Sequence, residues 1–303
     1  MQQNAVNELG QYIPLHYHFQ MLSDAERMNA FQAAIEQVVK PGNTVVELGS
    51  GTGVLSFFAA RLGARVWSVE YNPALMEASR QFIRNNGYAD QVRLVQADAS
   101  AWLPPEPADV VICEMLHSAL LREKQVQVIT AFRNAHLKRF GTIPTLIPTA
   151  TLLGIQPVLQ SYDFNGFHAP VSLFQSPYAA NADCVPSSDP AVYKMIDYDK
   201  CAVETYHADL SFTFAGNASV NAIRFITKNL LSIDYARGTT VDWHNQHLIM
   251  PLPQTLRMKA GQTLQIRFAY RPGEPLEALG NSLETITPME ATAPVRSREF
   301  ALA

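Results

Sequence analysis

The chain has 303 residues, enough for two domains at roughly 100–200 residues each. Its composition, 48% hydrophobic and 17% charged, is that of a globular protein with a sizeable core. Lys and Arg number 23 against 27 Asp and Glu, a formal charge of −4, which leaves no basic field for a nucleic acid backbone and suits a small or cationic partner. Three cysteines without a C-x-x-C pair argue against a zinc site or a disulfide framework and for a reducing compartment. With no basic-then-apolar leader and no apolar run of about 18 residues, the expected location is the cytoplasm, away from membranes.

An aromatic and histidine-rich patch, Tyr12, His16, Tyr17, His18 and Phe19, opens the readable part of the chain. A helix is predicted from about Ser23, an N-cap with Glu26 three residues on, through Met28, Phe31, Ala34, Ile35 and Val38 to a stop at Pro41-Gly42. Then Val45-Val46-Glu47-Leu48-Gly49-Ser50-Gly51-Thr52-Gly53 runs from β-branched residues into alternating glycines, and the apolar helical pattern of Val54, Leu55, Phe57, Phe58 and Leu62 follows. That order is strand, tight turn, helix. Glycines let the backbone turn sharply and a ligand approach closely, while the free N–H groups of the new helix face the same spot. A dinucleotide site needs G-x-G-x-x-G. Here the third glycine comes one residue early, a spacing similar to motif I of the class I S-adenosylmethionine (SAM) methyltransferases.

A second strand over residues 64–70 ends on Glu70, where a carboxylate can accept from both hydroxyls of a ribose. A helix over 73–86 and a third strand over 92–96 lead to Asp98, placed to accept from an adenine amino group while the Ala99 or Ser100 N–H serves a ring nitrogen. A fourth strand spans 109–113. The alternation predicts a parallel sheet with ligands at the carboxyl ends of its strands. After a helix end at Phe140 with Gly141 as its C′ residue, short β-like runs take over at 152–156, 208–214, 220–225, 247–250 and 263–268. Turns at Gly216-Asn217, Lys259-Ala260-Gly261 and Arg271-Pro272-Gly273 separate them, a pattern of sandwich or barrel. Residues 161–199, rich in Asp, Asn, Pro and Ser, carry no readable period.

Glu114 and Glu123 lie nine residues apart and can converge if the segment between them loops back. Two adjacent carboxylates need a proton or a cation between them, and the planar fork of a guanidinium fits. With a pKa of roughly 12.5–13.8 a guanidinium stays protonated, so its nitrogens are poor nucleophiles. Paired carboxylates draw the positive charge to one side, leave electron density on the nitrogen facing a methyl donor, and fix the line of attack. Spacing alone equally allows Glu123 to belong to a solvated charge run with Arg122 and Lys124.

Over most of its length the chain resembles the protein arginine methyltransferases. The match rests on the two glutamates and on Met21-Leu22-Ser23-Asp24-Ala25-Glu26-Arg27, which fits the family's M-L-x-D-x-x-R, with Val241-Asp242-Trp243 in place of its Thr-His-Trp loop. The resemblance implies an α/β fold: a Rossmann-like SAM-binding domain with an N-terminal helical lid, residues 1–148, then a C-terminal β-barrel for substrate and dimerisation, residues 149–303. It implies SAM as cofactor, with Gly49, Gly51 and Gly53 around its methionine part, Arg27 on its carboxylate, His18 against it, Glu70 on the ribose, and Asp98 and Ala99 at the adenine. Glu114 and Glu123 become the catalytic pair, and Met21, Asp24, His117, Asp242 and Trp243 the substrate side. It also implies a homodimer formed through an arm, for which residues 161–199 are the candidate.

The departures bear on the substrate. Met115-Leu116-His117-Ser118 replaces the family's Trp-Met-Gly-Tyr, and Ser100 its adenine-side glutamate. Asp242 replaces a histidine that pairs in the family with the helix aspartate, here Asp24. Two facing aspartates require a cation between them, from a substrate amine or from His16. The expected function is therefore SAM-dependent methylation of a guanidino or amine nitrogen on a small molecule or peptide. The alternatives are an O- or C-methyltransferase of a small metabolite, with His117 as general base, and a non-catalytic SAM-binding scaffold.

Overall fold

The computed structural model describes residues 13–179 and 182–287; Tyr12 lies outside them. Two short helices come first, α1 (Leu15–Ser23) and α2 (Ala25–Val38). The sequence predicts only the second, and its N-cap is Asp24 instead of Ser23: the Asp24 carboxylate accepts the Arg27 N–H at 3.0 Å. α1 starts at Pro14 with no side-chain cap and no acidic first turn, so the usual start signals are missing.

Strands β1 (Thr44–Leu48), β2 (Arg65–Glu70), β3 (Val92–Gln96), β4 (Val110–Cys113) and β5 (Thr145–Ile147) form one parallel sheet in the order β3-β2-β1-β4-β5. Both faces are covered, by α2, α3 (Val54–Arg61), α4 (Pro73–Asn85) and α5 (Gln125–Phe140), which is why β1 and β4 are buried at every position. The strand order reverses between β1 and β4. Ligands of open α/β sheets bind at such a switch point, beyond the carboxyl ends of the strands. The glycine turn follows β1 and Glu114 follows β4, so the topology alone brings the two motifs together.

From β6 (Ala150–Gln160) onward the chain is antiparallel. β6 and the long strand Ala218–Asp234 are the centre of one sheet, which continues through His247–Met258 to Leu173–Gln175, with Thr239–His244 paired to Ala218–Asp234. A three-stranded sheet of Tyr206–Thr213, Thr263–Tyr270 and Glu284–Ile286 completes this half. The predicted runs all fall in strands, and the three predicted turns fall between elements. β5, Ala191–Asp197 and Thr239–His244 had no sequence signal, being short or paired through bulges. One apolar core runs through both halves, from Phe31 and Ile35 across β1 and β4 to Phe225, Phe268 and Tyr270. Among the described residues no helix is long and apolar enough to cross a membrane.

A buried histidine ties the edge of the parallel sheet. His136 on α5 accepts the Ala108 N–H on Nε2 at 2.9 Å, so its proton is on Nδ1 and is donated to the Thr142 carbonyl at 2.8 Å. His136→Leu strands both backbone groups, and with an unsatisfied buried group costing about 1–3 kcal/mol we expect a clear drop in the thermal or urea midpoint with the circular dichroism spectrum of the fold retained.

Candidate active site

The glycines take up the left-handed backbone that the turn requires, with φ of 71° at Gly49, 54° at Gly51 and 79° at Gly53. They do different work. A Cβ on Gly49 would come within 3.1 Å of Met115 Sδ, and one on Gly51 within 2.7 Å of His18 Cε1. Both residues line the central cavity. Gly53 does not line it; a Cβ there would meet Ser79 Oγ on α4 at 2.5 Å, so this glycine lets α4 pack against the turn.

Glu70 ends β2 and anchors the turn, its two carboxylate oxygens accepting the Gly51 N–H at 2.8 Å and the Asn72 N–H at 2.7 Å. His18 reaches over from α1. Its ring is buried, its Nε2 has no partner among the described residues, and burial lowers its pKa against the opposing pull of Glu70, which keeps the imidazole neutral. Asp98 is exposed and accepts from the Ser100 N–H at 2.8 Å and hydroxyl at 2.7 Å. The Ser100 N–H is therefore already engaged, and of the two expected donors the Ala99 N–H is the one left.

Arg27, on the first turn of α2, is buried and ion-paired with Glu114. Burial works against its charge, but the charge and hydrogen bond of Glu114, helped by Asp24 and Glu47, outweigh it and hold the guanidinium more firmly protonated than usual. Sequence reasoning passed over Glu47. It sits within the apolar run of β1, accepts the Ser56 N–H at 2.8 Å and the Ser56 hydroxyl, and burial pushes its pKa to about 8. An acid inside an otherwise apolar strand was the signal.

Loop 114–123 turns back on itself, so Glu123 returns to the cavity that Glu114 lines. The reversal uses left-handed backbone at Ala119 (φ 55°), Leu120 (φ 54°) and Arg122 (φ 63°), at about 1–2 kcal/mol for each residue with a Cβ. Its hydrogen bonds run to the antiparallel half. The Ala119 N–H donates to Thr227 Oγ1 at 2.7 Å and its carbonyl accepts from Tyr270 at 2.9 Å. Ser118 donates to the Gln246 carbonyl at 2.6 Å, and Asn245 to the Leu116 carbonyl at 2.8 Å. The Arg122 N–H meets the Glu274 carbonyl at 2.8 Å. From the other side buried Gln125 accepts the Met115 N–H and donates to the Cys113 carbonyl, at 2.8 and 2.7 Å. Glu123 keeps some surface open to the cavity, yet it is enclosed by protein: burial first, and the charge of Glu114 second, push its pKa to about 8.

Trp243 is buried, stacks at 6.0 Å from Phe31 and lines the cavity, its Nε1 without an acceptor among the described residues. Asp242 does not line it. Asp242 is ion-paired with Lys228 from the paired strand, and His16, one of the two cations expected there, is exposed with its ring tilted against that of Tyr17. Burial makes the hydroxyl of Tyr178 harder to ionise, and the charges of Glu26, Asp24 and Asp242 add to that. His117 lines the cavity edge-on to Phe174 at 5.4 Å, and burial drives its pKa down to about 4.

The cavity measures about 520 Å³ and is lined by all the expected residues but Gly53 and Asp242, a volume within the roughly 300–1,000 Å³ usual for small-molecule sites. The residues fit SAM: a firmly charged guanidinium for its carboxylate, a neutral imidazole with an unpartnered nitrogen, a carboxylate at the end of β2, and acids near a positive sulfonium. Residues 45–139 match the family model described as a methyltransferase domain. An arginine N(omega)-methyltransferase of Streptomyces achromogenes is 27% identical over 285 residues, covering 84% of this chain and 76% of that protein. An uncharacterised protein of Methanothermobacter thermautotrophicus is 31% identical over 268 residues, 88% of this chain and 97% of that one. In fold, a chain of the Trypanosoma brucei PRMT1 enzyme–prozyme heterotetrameric complex with AdoHcy matches with a TM-score of 0.69 at 16% identity, over 90% of this chain and 98% of that one. By its methyltransferase domain and its arginine methyltransferase relative, the chain is an arginine methyltransferase-like, SAM-dependent methyltransferase.

Proposed function

We propose that the protein methylates a guanidino nitrogen held between Glu114 and Glu123. The observation that carries this reading is the return of Glu123 to the cavity that Glu114 lines, where enclosure and the charge of Glu114 both push its pKa up. A permanently charged guanidinium relieves both causes at once. The name of the Streptomyces relative agrees with that acceptor. A base for an oxygen or carbon acceptor would need a pKa nearer the working pH than the value of about 4 at His117.

SAM, when bound, supplies an electrophilic methyl group. Around it, Arg27 would take the carboxylate with donors not used on Glu114, Glu70 the ribose, and Asp98 with the Ala99 N–H the adenine. Neutral His18 presents no charge against the sulfonium. Glu114 and Glu123 would draw the guanidinium's charge away from the reacting nitrogen and fix it in line. Glu123 would take the proton that the acceptor nitrogen releases. We place the described part of residues 149–303 as a barrel walling the acceptor side, and assign the hairpin Asp163–His168, with Phe164 and Phe167 exposed, to contact with a second copy.

Glu123→Gln should lower kcat about 10²- to 10³-fold, the usual cost of one electrostatic contact made in the transition state, with SAM affinity by calorimetry unchanged. Glu114→Gln should weaken SAM binding as well, because Arg27 loses its partner. Gly51→Ala should weaken SAM binding roughly tenfold through left-handed strain and displacement of His18; unchanged affinity would remove Gly51 from the cofactor site. With ionised Glu123 as the binding form, kcat/KM should fall one log unit per pH unit below about 8, the value for the free carboxyl. If that limb vanishes in Glu47→Gln, the ionisation belongs to Glu47.

A further inference from the structure

Arg122 lines the same cavity as Glu114 and Glu123. Its backbone is left-handed, φ 63°, and pinned by the 2.8 Å bond from its N–H to the Glu274 carbonyl. Glycine would hold that conformation without strain, so the side chain has to be accounted for. Ala119 and Leu120 share the conformation but are fully packed in the core, whereas the side chain of Arg122 is only half-buried. Among the described residues its guanidinium has no hydrogen bond and no ion pair. Its charge nevertheless reaches into the site, since it acts on both His117 and Glu123. Lys124, exposed, lines the cavity beside it.

One short loop thus offers two acids and an uncommitted cation to a single cavity. A partly desolvated guanidinium gains most from a carboxylate, whose two oxygens match its fork. His117 and Phe174, their rings edge-on, line the same cavity and offer it carbon surface for an aliphatic chain. We propose that Arg122 binds the carboxylate of the methyl acceptor, which makes the acceptor a free guanidino acid and not an arginine within a peptide, where that carboxyl is an amide. The assignment rests on the reading that Glu114 and Glu123 hold the guanidinium.

The test compares L-arginine with L-argininamide, which keeps the guanidino group and the amine and replaces the carboxylate by a neutral amide. Both are titrated calorimetrically into the protein saturated with S-adenosylhomocysteine, and both are assayed for methyl transfer. The wild type should favour arginine roughly 10- to 100-fold in Kd and KM, the size of one charge-assisted contact. Arg122→Met should bring the arginine-to-argininamide ratio in Kd and KM to about one, any effect of the lost charge on Glu123 being common to both compounds, and retained binding of S-adenosylhomocysteine shows that the variant folds. Arg122→Lys should keep part of the preference. Equal use of the two compounds by the wild type, or a preference that survives in Arg122→Met, overturns the assignment alone. If SAM binds but neither compound binds or accepts a methyl, the guanidino reading falls and this assignment with it.

Discussion

The site depends on holding a strained loop. Loop 114–123 must reverse within a few residues to return a second carboxylate to the first, and it does so through left-handed backbone at Ala119, Leu120 and Arg122. No glycine is present to make that easy. The strain persists because partners from distant parts of the chain over-determine the path: Thr227, Tyr270, Asn245, Gln246 and Glu274 from one side, Gln125 from the other. Asn245 is held in turn by Asn229, and Asn229 by Thr151, all buried. A polar network satisfied throughout is rigid. The antiparallel half therefore positions chemistry that the parallel half carries.

Charge is the second constraint. Glu47, Glu70, Glu114 and Glu123 all line one cavity with Arg27. Glu47 and Glu123 titrate near 8 where 4.5 is ordinary, in both cases chiefly through burial. The folded chain therefore holds protons that the unfolded chain has lost between those values. The stability these groups contribute is complete below about 4.5 and is lost as the pH rises through about 8. A cation bound at Glu123 reverses that loss, so the same burial that strains the empty carboxylate favours a positively charged ligand.

Much of this was legible in the sequence because it is local. The glycine turn, Glu70 at the end of its strand, the strand–helix alternation and the Asp24-Ala25-Glu26-Arg27 segment are written within a few residues each. What was not legible depends on residues far apart. Lys228 meets Asp242 only across a bulged strand pair, and nothing in either segment announces it. Gly53 looks identical in sequence to Gly49 and Gly51, and only the approach of Ser79 on α4 separates its task from theirs. The strand Thr239–His244 is exposed at Thr239 and Thr240 and fully buried only at Trp243, so it carries no period of two. Glu47 and Gln125 were readable in principle, as polar residues in apolar surroundings, but their roles required knowing what lies above them.

The ion pair between Arg27 and Glu114 joins the two ends of the site. Glu114 follows β4 and in the proposed function serves the acceptor; Arg27 comes from α2, ahead of the whole sheet, and in the same proposal serves the cofactor. A guanidinium has five donors in a fixed plane, so Arg27 can keep Glu114 in place while still offering donors to a second carboxylate. A lysine ammonium, a compact charge on a flexible stem, cannot define both directions at once. The Met21 carbonyl at 3.4 Å and the Phe31 ring at 5.6 Å further orient that plane. Phe31 in turn packs on Trp243, so one guanidinium sets α2, the catalytic loop and the wall of the antiparallel half relative to each other. In the proposed function, cofactor and acceptor would thereby be presented in a single frame, which an in-line transfer between them requires.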